Sequence, residues 1–116
     1  MSESDELYIT VNYIKHKVDA LEKIEMLNLR SNKALHEEYI SILQADPLLL
    51  KVYKAIDGAK SQKEIASVVS TTEKTVSVKI KKLAEHGLIE IKNVGAKGER
   101  IYKHSVAEQA FKLTRL

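Results

Sequence analysis

Lys74, Thr75, Ser77, Val78, Lys81 and Lys82 fall on one side of the stretch Thr72–His86, TEKTVSVKIKKLAEH. The other side carries Val76, Ile80 and Leu83, spaced by four and three as on the apolar face of a helix. A helix with one apolar side and one side of lysine and hydroxyl groups has the dimensions and the donors to enter a DNA major groove. The same pattern also describes a solvated amphipathic surface helix, because lysines on exposed helix faces are common. Thr72 is suited to the N-cap, where its hydroxyl accepts a free N–H of the first turn. Gly87 is suited to the position just past the helix end, where a left-handed backbone costs glycine little.

The elements around this stretch must position it. Ser61-Gln62-Lys63-Glu64 has the form of a capping box and opens a short helix to about Val69, with Ile65, Ala66 and Val69 inward. Ser70 and Thr71 leave only a tight turn before the Thr72 helix, a helix-turn-helix arrangement. After Gly87, Leu88–Val94 alternates and is rich in β-branched residues, which predicts a strand. Gly95-Ala96-Lys97-Gly98 reads as a hairpin turn, and Glu99–His104 as the returning strand. Ser105 and Glu108 suggest a second capping box, opening a last helix that runs to Leu116.

Upstream, Leu7, Val11, Ile14, Val18 and Leu21 follow a 4-3-4-3 spacing, a heptad seam, and Ile24 and Leu27 continue the stripe shifted by one position. The seam predicts a long helix from about Asp5 or Thr10 to Leu29. Leu7, Ile9, Val11 and Tyr13 also alternate with period two, so the first turns could be extended. A helix this long in so small a chain needs a surface to cover its seam. A second copy of the chain supplies one, making these five residues a dimerisation face; packing along the chain's own core is the other reading. A second helix is predicted over Lys33–Gln44, with Leu35, Tyr39, Ile42 and Leu43 apolar. Asp46-Pro47 then marks a helix start, with Asp as cap and Pro in the first turn. That helix runs to about Asp57, with Gly58 ending it. The expected organisation is a helical N-terminal arm (1–45), a compact domain (46–104) and a C-terminal helix (105–116), mainly α with one small β-hairpin.

Composition narrows the chemistry. The 116 residues suit a single core, with 44% hydrophobic and 30% charged residues. There is no cysteine, so neither disulfides nor thiolate metal sites are available, which suits a reducing cytoplasm. No apolar run approaches the roughly 18 residues that span a bilayer, and the acidic, polar N-terminus does not read as a signal peptide. No two of His16, His36, His86 and His104 are spaced as helical metal ligands. Phosphate-binding, dinucleotide and hydrolase signatures are lacking too. The expectation is a protein that is not an enzyme and uses no cofactor or metal. Charge is uneven. Residues 1–50 carry five Lys/Arg against nine Asp/Glu, whereas 51–104 carry twelve against six. A cationic half suits a polyanionic partner.

The wording KSQKEIASVVSTTEKTVSVKIKKLAEHGLIEI, within Leu48–His104, resembles the winged helix-turn-helix pattern of MarR/ArsR-like prokaryotic regulators. The flanking helices also resemble those of the small Lrs14-like archaeal regulators. The resemblance implies a cytoplasmic, DNA-binding transcription regulator that acts as a homodimer on double-stranded DNA. It implies that Lys74, Thr75, Ser77 and Val78 meet base edges and that Lys81 and Lys82 approach phosphates. Gln62 and Lys63 would hold a phosphate, and Lys97 and Arg100 on the wing would reach the minor groove or backbone, flanked by Lys92 and Lys103. The stretch departs from the family in having no arginine on the recognition helix, and Glu73 stands in its first turn. A winged helix can also serve as a protein-interaction module without sequence-specific DNA binding. Basic residues on the wing and recognition helix weigh towards DNA. The residues mark no effector pocket.

Overall fold

A computed structural model describes the backbone of residues 3–116 and the side chains from Ile14 onward. Six helices and one hairpin follow in order: α1 (Glu3–Arg30), α2 (Lys33–Ala45), α3 (Pro47–Ala55), α4 (Gln62–Val68), α5 (Glu73–Glu85), β1 (Ile89–Val94), β2 (Arg100–His104) and α6 (Val106–Phe111). A single 3₁₀ turn, Leu113–Arg115, closes the chain. The arrangement is mainly helical with a two-stranded antiparallel wing, the winged helix-turn-helix architecture expected from the sequence. No described helix is long and apolar enough to cross a membrane.

Local chemistry accounts for most element starts. Asn32 caps α2 by accepting from Leu35 N at 3.0 Å, and Asp46 caps α3 by accepting from Leu49 N at 3.1 Å. The capping box at α4 is complete: Ser61 Oγ accepts from Glu64 N, and Glu64 Oε1 accepts from Ser61 N, both at 3.3 Å. Thr72 caps α5 through Thr75 N at 3.2 Å. Gly87 ends α5 with φ +75°, the left-handed conformation its place in the sequence suggested.

Three expectations are corrected. The backbone of α1 is helical from Glu3, so the alternation at Leu7, Ile9, Val11 and Tyr13 does not produce a strand. The only sheet among the described residues is β1–β2, which leaves an extended segment there no strand to pair with, whereas a helix bonds its own N–H groups. The second capping box does not form. Ser105 Oγ accepts from Ala107 N at 3.3 Å and donates to Gly87 O at 2.6 Å. Glu108 instead accepts from Thr114 N at 2.7 Å and from the Tyr53 hydroxyl at 3.4 Å. Finally, the last helix stops at Phe111 rather than Leu116. Lys112 turns left-handed at φ 52°, and Leu113 then buries in the core.

The core gathers Leu43 from α2, Leu49, Val52 and Tyr53 from α3, Ile65 from α4, Val76, Ile80 and Leu83 from α5, and Leu88. Phe111 and Leu113 join it from the C-terminal end. Burying side chains of this size stabilises by about 1.5–3 kcal/mol each before conformational entropy is counted. Helix α1 lies largely outside, against α6 and α2, and of its described side chains Leu29 packs on the core. The radius of gyration is accordingly 17.2 Å, against about 13 Å for a compact chain of this length.

The wing carries one irregularity. Ile91 pairs with Tyr102 and Asn93 with Ile101, so Lys92 is an extra residue in β1. Such a bulge re-aims a side chain. Lys92 Nζ accordingly donates to Gly58 O at 3.0 Å, tying the wing to the α3–α4 connection.

Candidate nucleic-acid interface

Helix α5 is anchored along its inner side and at its C-terminal end. Val76, Ile80 and Leu83 are buried. Lys79 reaches sideways to Asp46, with Nζ 2.6 Å from Oδ2. At the C-terminal end the Tyr39 hydroxyl donates to His86 O at 2.9 Å, and the Ser105 hydroxyl covers Gly87 O. Two carbonyls at the end of the helix thus receive donors from α2 and from the residue that opens α6, as helix termini require. The outer face is left for other partners.

On that face Lys74, Ser77, Val78, Lys81 and Lys82 are exposed. Val78 is 60% accessible. Thr75 differs. It is half-buried, its N–H bonds the cap, and its Oγ1 lies 3.0 Å from the Thr72 hydroxyl. The structure therefore turns this expected base reader towards the helix start.

The remaining expected residues come together elsewhere. Gln62 and Lys63 at the start of α4, Glu73 at the start of α5, and Lys97, Glu99 and Arg100 on the wing line one open hollow of about 740 Å³. The five outer residues of α5 do not line it; they extend from its edge along the helix.

Charge separates two kinds of cation here. Lys60 pairs with Asp57, Lys79 with Asp46 and Lys103 with Glu90, while Lys92 bonds the Gly58 carbonyl. Of the two expected to flank the basic wing, Lys92 is thus tied into the fold and Lys103 makes a surface pair. The side chains of Lys63, Lys74, Lys81, Lys82, Lys97 and Arg100 make no ion pair or hydrogen bond among the described residues. Two of these lysines hold their carboxylates in the charged form. The Lys79 hydrogen bond, with help from the Leu49 N–H, outweighs burial and keeps the Asp46 carboxyl below the usual range. Lys60 and two backbone N–H groups lower exposed Asp57 to about 2.

Sequence reasoning missed the Asp46–Lys79 bridge, the Tyr39 bond to α5 and the part played by Glu99. The first two join residues 33 and 47 positions apart, for which spacing carries no signal. Glu99 reads as the start of the returning strand, yet β2 begins at Arg100 and the Glu99 carboxylate folds onto the wing turn.

The expected dimerisation face is partly in view. Ile14, Val18 and Leu21 are 56%, 47% and 63% accessible, and Ile24 and Leu27 continue the exposed stripe. Leu7 and Val11 lie outside the residues whose side chains are described.

No protein-family model matches the chain, and no curated protein does so significantly. Among solved structures, the chain is similar to MepR, a transcription regulator of the Staphylococcus aureus multidrug efflux pump MepA. The identity is 21%, with 99% of this chain and 73% of that one covered and a TM-score of 0.41. It is also similar to a MarR family transcription regulator, at 18% identity over 97% of this chain and 70% of that one, again with a TM-score of 0.41. Likeness this loose transfers no residue roles.

Proposed function

We propose that this protein is a sequence-specific double-stranded DNA-binding transcription regulator that works as a homodimer. The observation that carries the reading is the clustering of six cations without a salt-bridge partner, Lys63, Lys74, Lys81, Lys82, Lys97 and Arg100, on α5, the start of α4 and the wing. Unpaired cations along a protruding helix suit phosphates, whose neutralisation releases condensed counterions. Lys74, Ser77 and Val78 offer a donor, a hydroxyl and an apolar contact to base edges in the major groove. Lys81 and Lys82 then approach the backbone. Lys97 and Arg100 sit one element away, at the place from which a wing reaches the neighbouring minor groove or backbone.

The exposed stripe on α1 supports the second half of the reading. Five large apolar side chains at heptad-like spacing, on a helix that projects from the core, suit a two-fold helical interface. Such a dimer presents two α5 helices about 34 Å apart, one turn of the duplex. Selection from a library of random duplexes tests this directly. The expected product is an enriched inverted repeat with half-site centres about ten base pairs apart. Recovery of unenriched sequence at every round would refute sequence-specific reading.

A further inference from the structure

Glu99 folds back over the turn that precedes it. Its Oε2 accepts from the Lys97 backbone N–H at 2.9 Å. Its carboxyl group fills the space where a side chain at Gly95 would begin. A Cβ built on Gly95 would stand 1.9 Å from Glu99 Oε1 and 2.3 Å from the carboxyl carbon. The turn itself is closed by backbone bonds, Gly95 N to Glu99 O at 2.7 Å and Gly98 N to Gly95 O at 3.0 Å. The carboxylate is therefore an addition to a turn already closed. No lysine or arginine among the described residues lies within ion-pair distance of it.

An oxyanion on a backbone N–H, in a hollow where Lys63, Lys97 and Arg100 stand beside Glu64 and Glu73, has the chemistry of a phosphate contact. We infer that the Glu99 carboxylate occupies a phosphodiester site on the wing, as an intramolecular stand-in that the DNA backbone must displace. This rests on the DNA-binding reading and adds to it one site, one ligand class and a built-in competitor. One hydrogen bond without a cationic partner is a weak hold, worth about three- to tenfold in an equilibrium. The carboxylate thus tunes affinity without blocking the wing.

Simple repulsion between Glu99 and DNA would also weaken binding, and Gly95→Ala separates the two accounts. Gly95 has no left-handed backbone to preserve, unlike Gly98 at φ +81°. An alanine there evicts the carboxylate and leaves its charge on the chain. The full-length protein and this variant are titrated onto a labelled random-sequence duplex at fixed low salt, and the Lys97 amide is followed by NMR. Displacement predicts binding about threefold or more tighter for Gly95→Ala, together with a moved Lys97 amide resonance. If the wild type binds and Gly95→Ala binds no tighter, the site is wrong and the DNA reading stands. Should the alanine disrupt the hairpin, seen as collapse of the β1–β2 amide signals, Glu99→Gln and Glu99→Ala decide. Both remove the charge, but glutamine can still accept from Lys97 N–H. Displacement predicts tighter binding for Glu99→Ala than for Glu99→Gln, and equal binding overturns it. If none of the proteins binds the duplex, both the site and the DNA reading fall.

Discussion

Asp46 serves two elements with one carboxylate. Oδ1 caps α3 through Leu49 N, and Oδ2 receives Lys79 from α5, so the start of one helix steadies the flank of another. Both side chains are mostly shielded, at 23% and 22% accessible, so the pair is less screened than a surface bridge. Removing it as Asp46→Ala is expected to cost about 1–2 kcal/mol at neutral pH, through the lost cap and a half-buried cation left alone. The pH dependence has a definite sign. Because the folded carboxyl is held below its ordinary 3.8, its contribution is full above that value and disappears as pH falls through the lower folded value. Urea unfolding at about pH 7 and about pH 2 checks this. The gap between wild type and Asp46→Ala narrows towards the acid end; a gap that persists unchanged would show that the carboxylate's charge contributes nothing.

At the scale of elements, the turn between α4 and α5 sets how the helix-turn-helix closes. Ser70 adopts φ 57°, and Thr71 N donates to Ala66 O at 2.9 Å, closing α4 with a left-handed cap. Serine tolerates that backbone and a β-branched side chain does not. Ser70→Val is expected to lose about 1–2 kcal/mol, measured as a lower urea midpoint with an unchanged slope; full stability would mean that the turn can rearrange freely. The residues themselves explain which elements could be read in advance. Asp46-Pro47, the Ser61–Glu64 box and Thr72 with Gly87 mark boundaries through bonds between neighbours in sequence, so their spacing is visible in the chain. Ser105 and Glu108 have the same local form, but Gly87, Tyr53 and Thr114 compete for their side chains and win. The bulge at Lys92 was hidden for the same reason: its partner is the Gly58 carbonyl, which spacing does not identify. For the site, the exposed face of α5 was legible from periodicity. The sorting of its cations into paired and unpaired was not, since it depends on which carboxylates the fold brings near.

The whole molecule divides by charge and by exposure. The acidic N-terminal half carries the apolar stripe on α1, and the cationic half carries the hollow and the outer face of α5. If that stripe is the homodimer interface, Val18→Glu with Leu21→Glu converts a dimer of the 13.1 kDa chain to a monomer in sedimentation equilibrium, with helical content retained. Both positions are already exposed in the single chain, so the change costs its fold little. A variant that still sediments as a dimer would place the interface elsewhere. The central claim is that the unpaired cations form a DNA face. Fluorescence anisotropy of a labelled duplex across a salt series tests it most directly, with the wild type set beside a variant carrying Lys81, Lys82, Lys97 and Arg100 all changed to Ala. The account predicts binding that weakens steeply with salt, and a log–log slope shallower by about three to four units in the variant. No binding at low salt, or a slope that the four changes leave untouched, would contradict it.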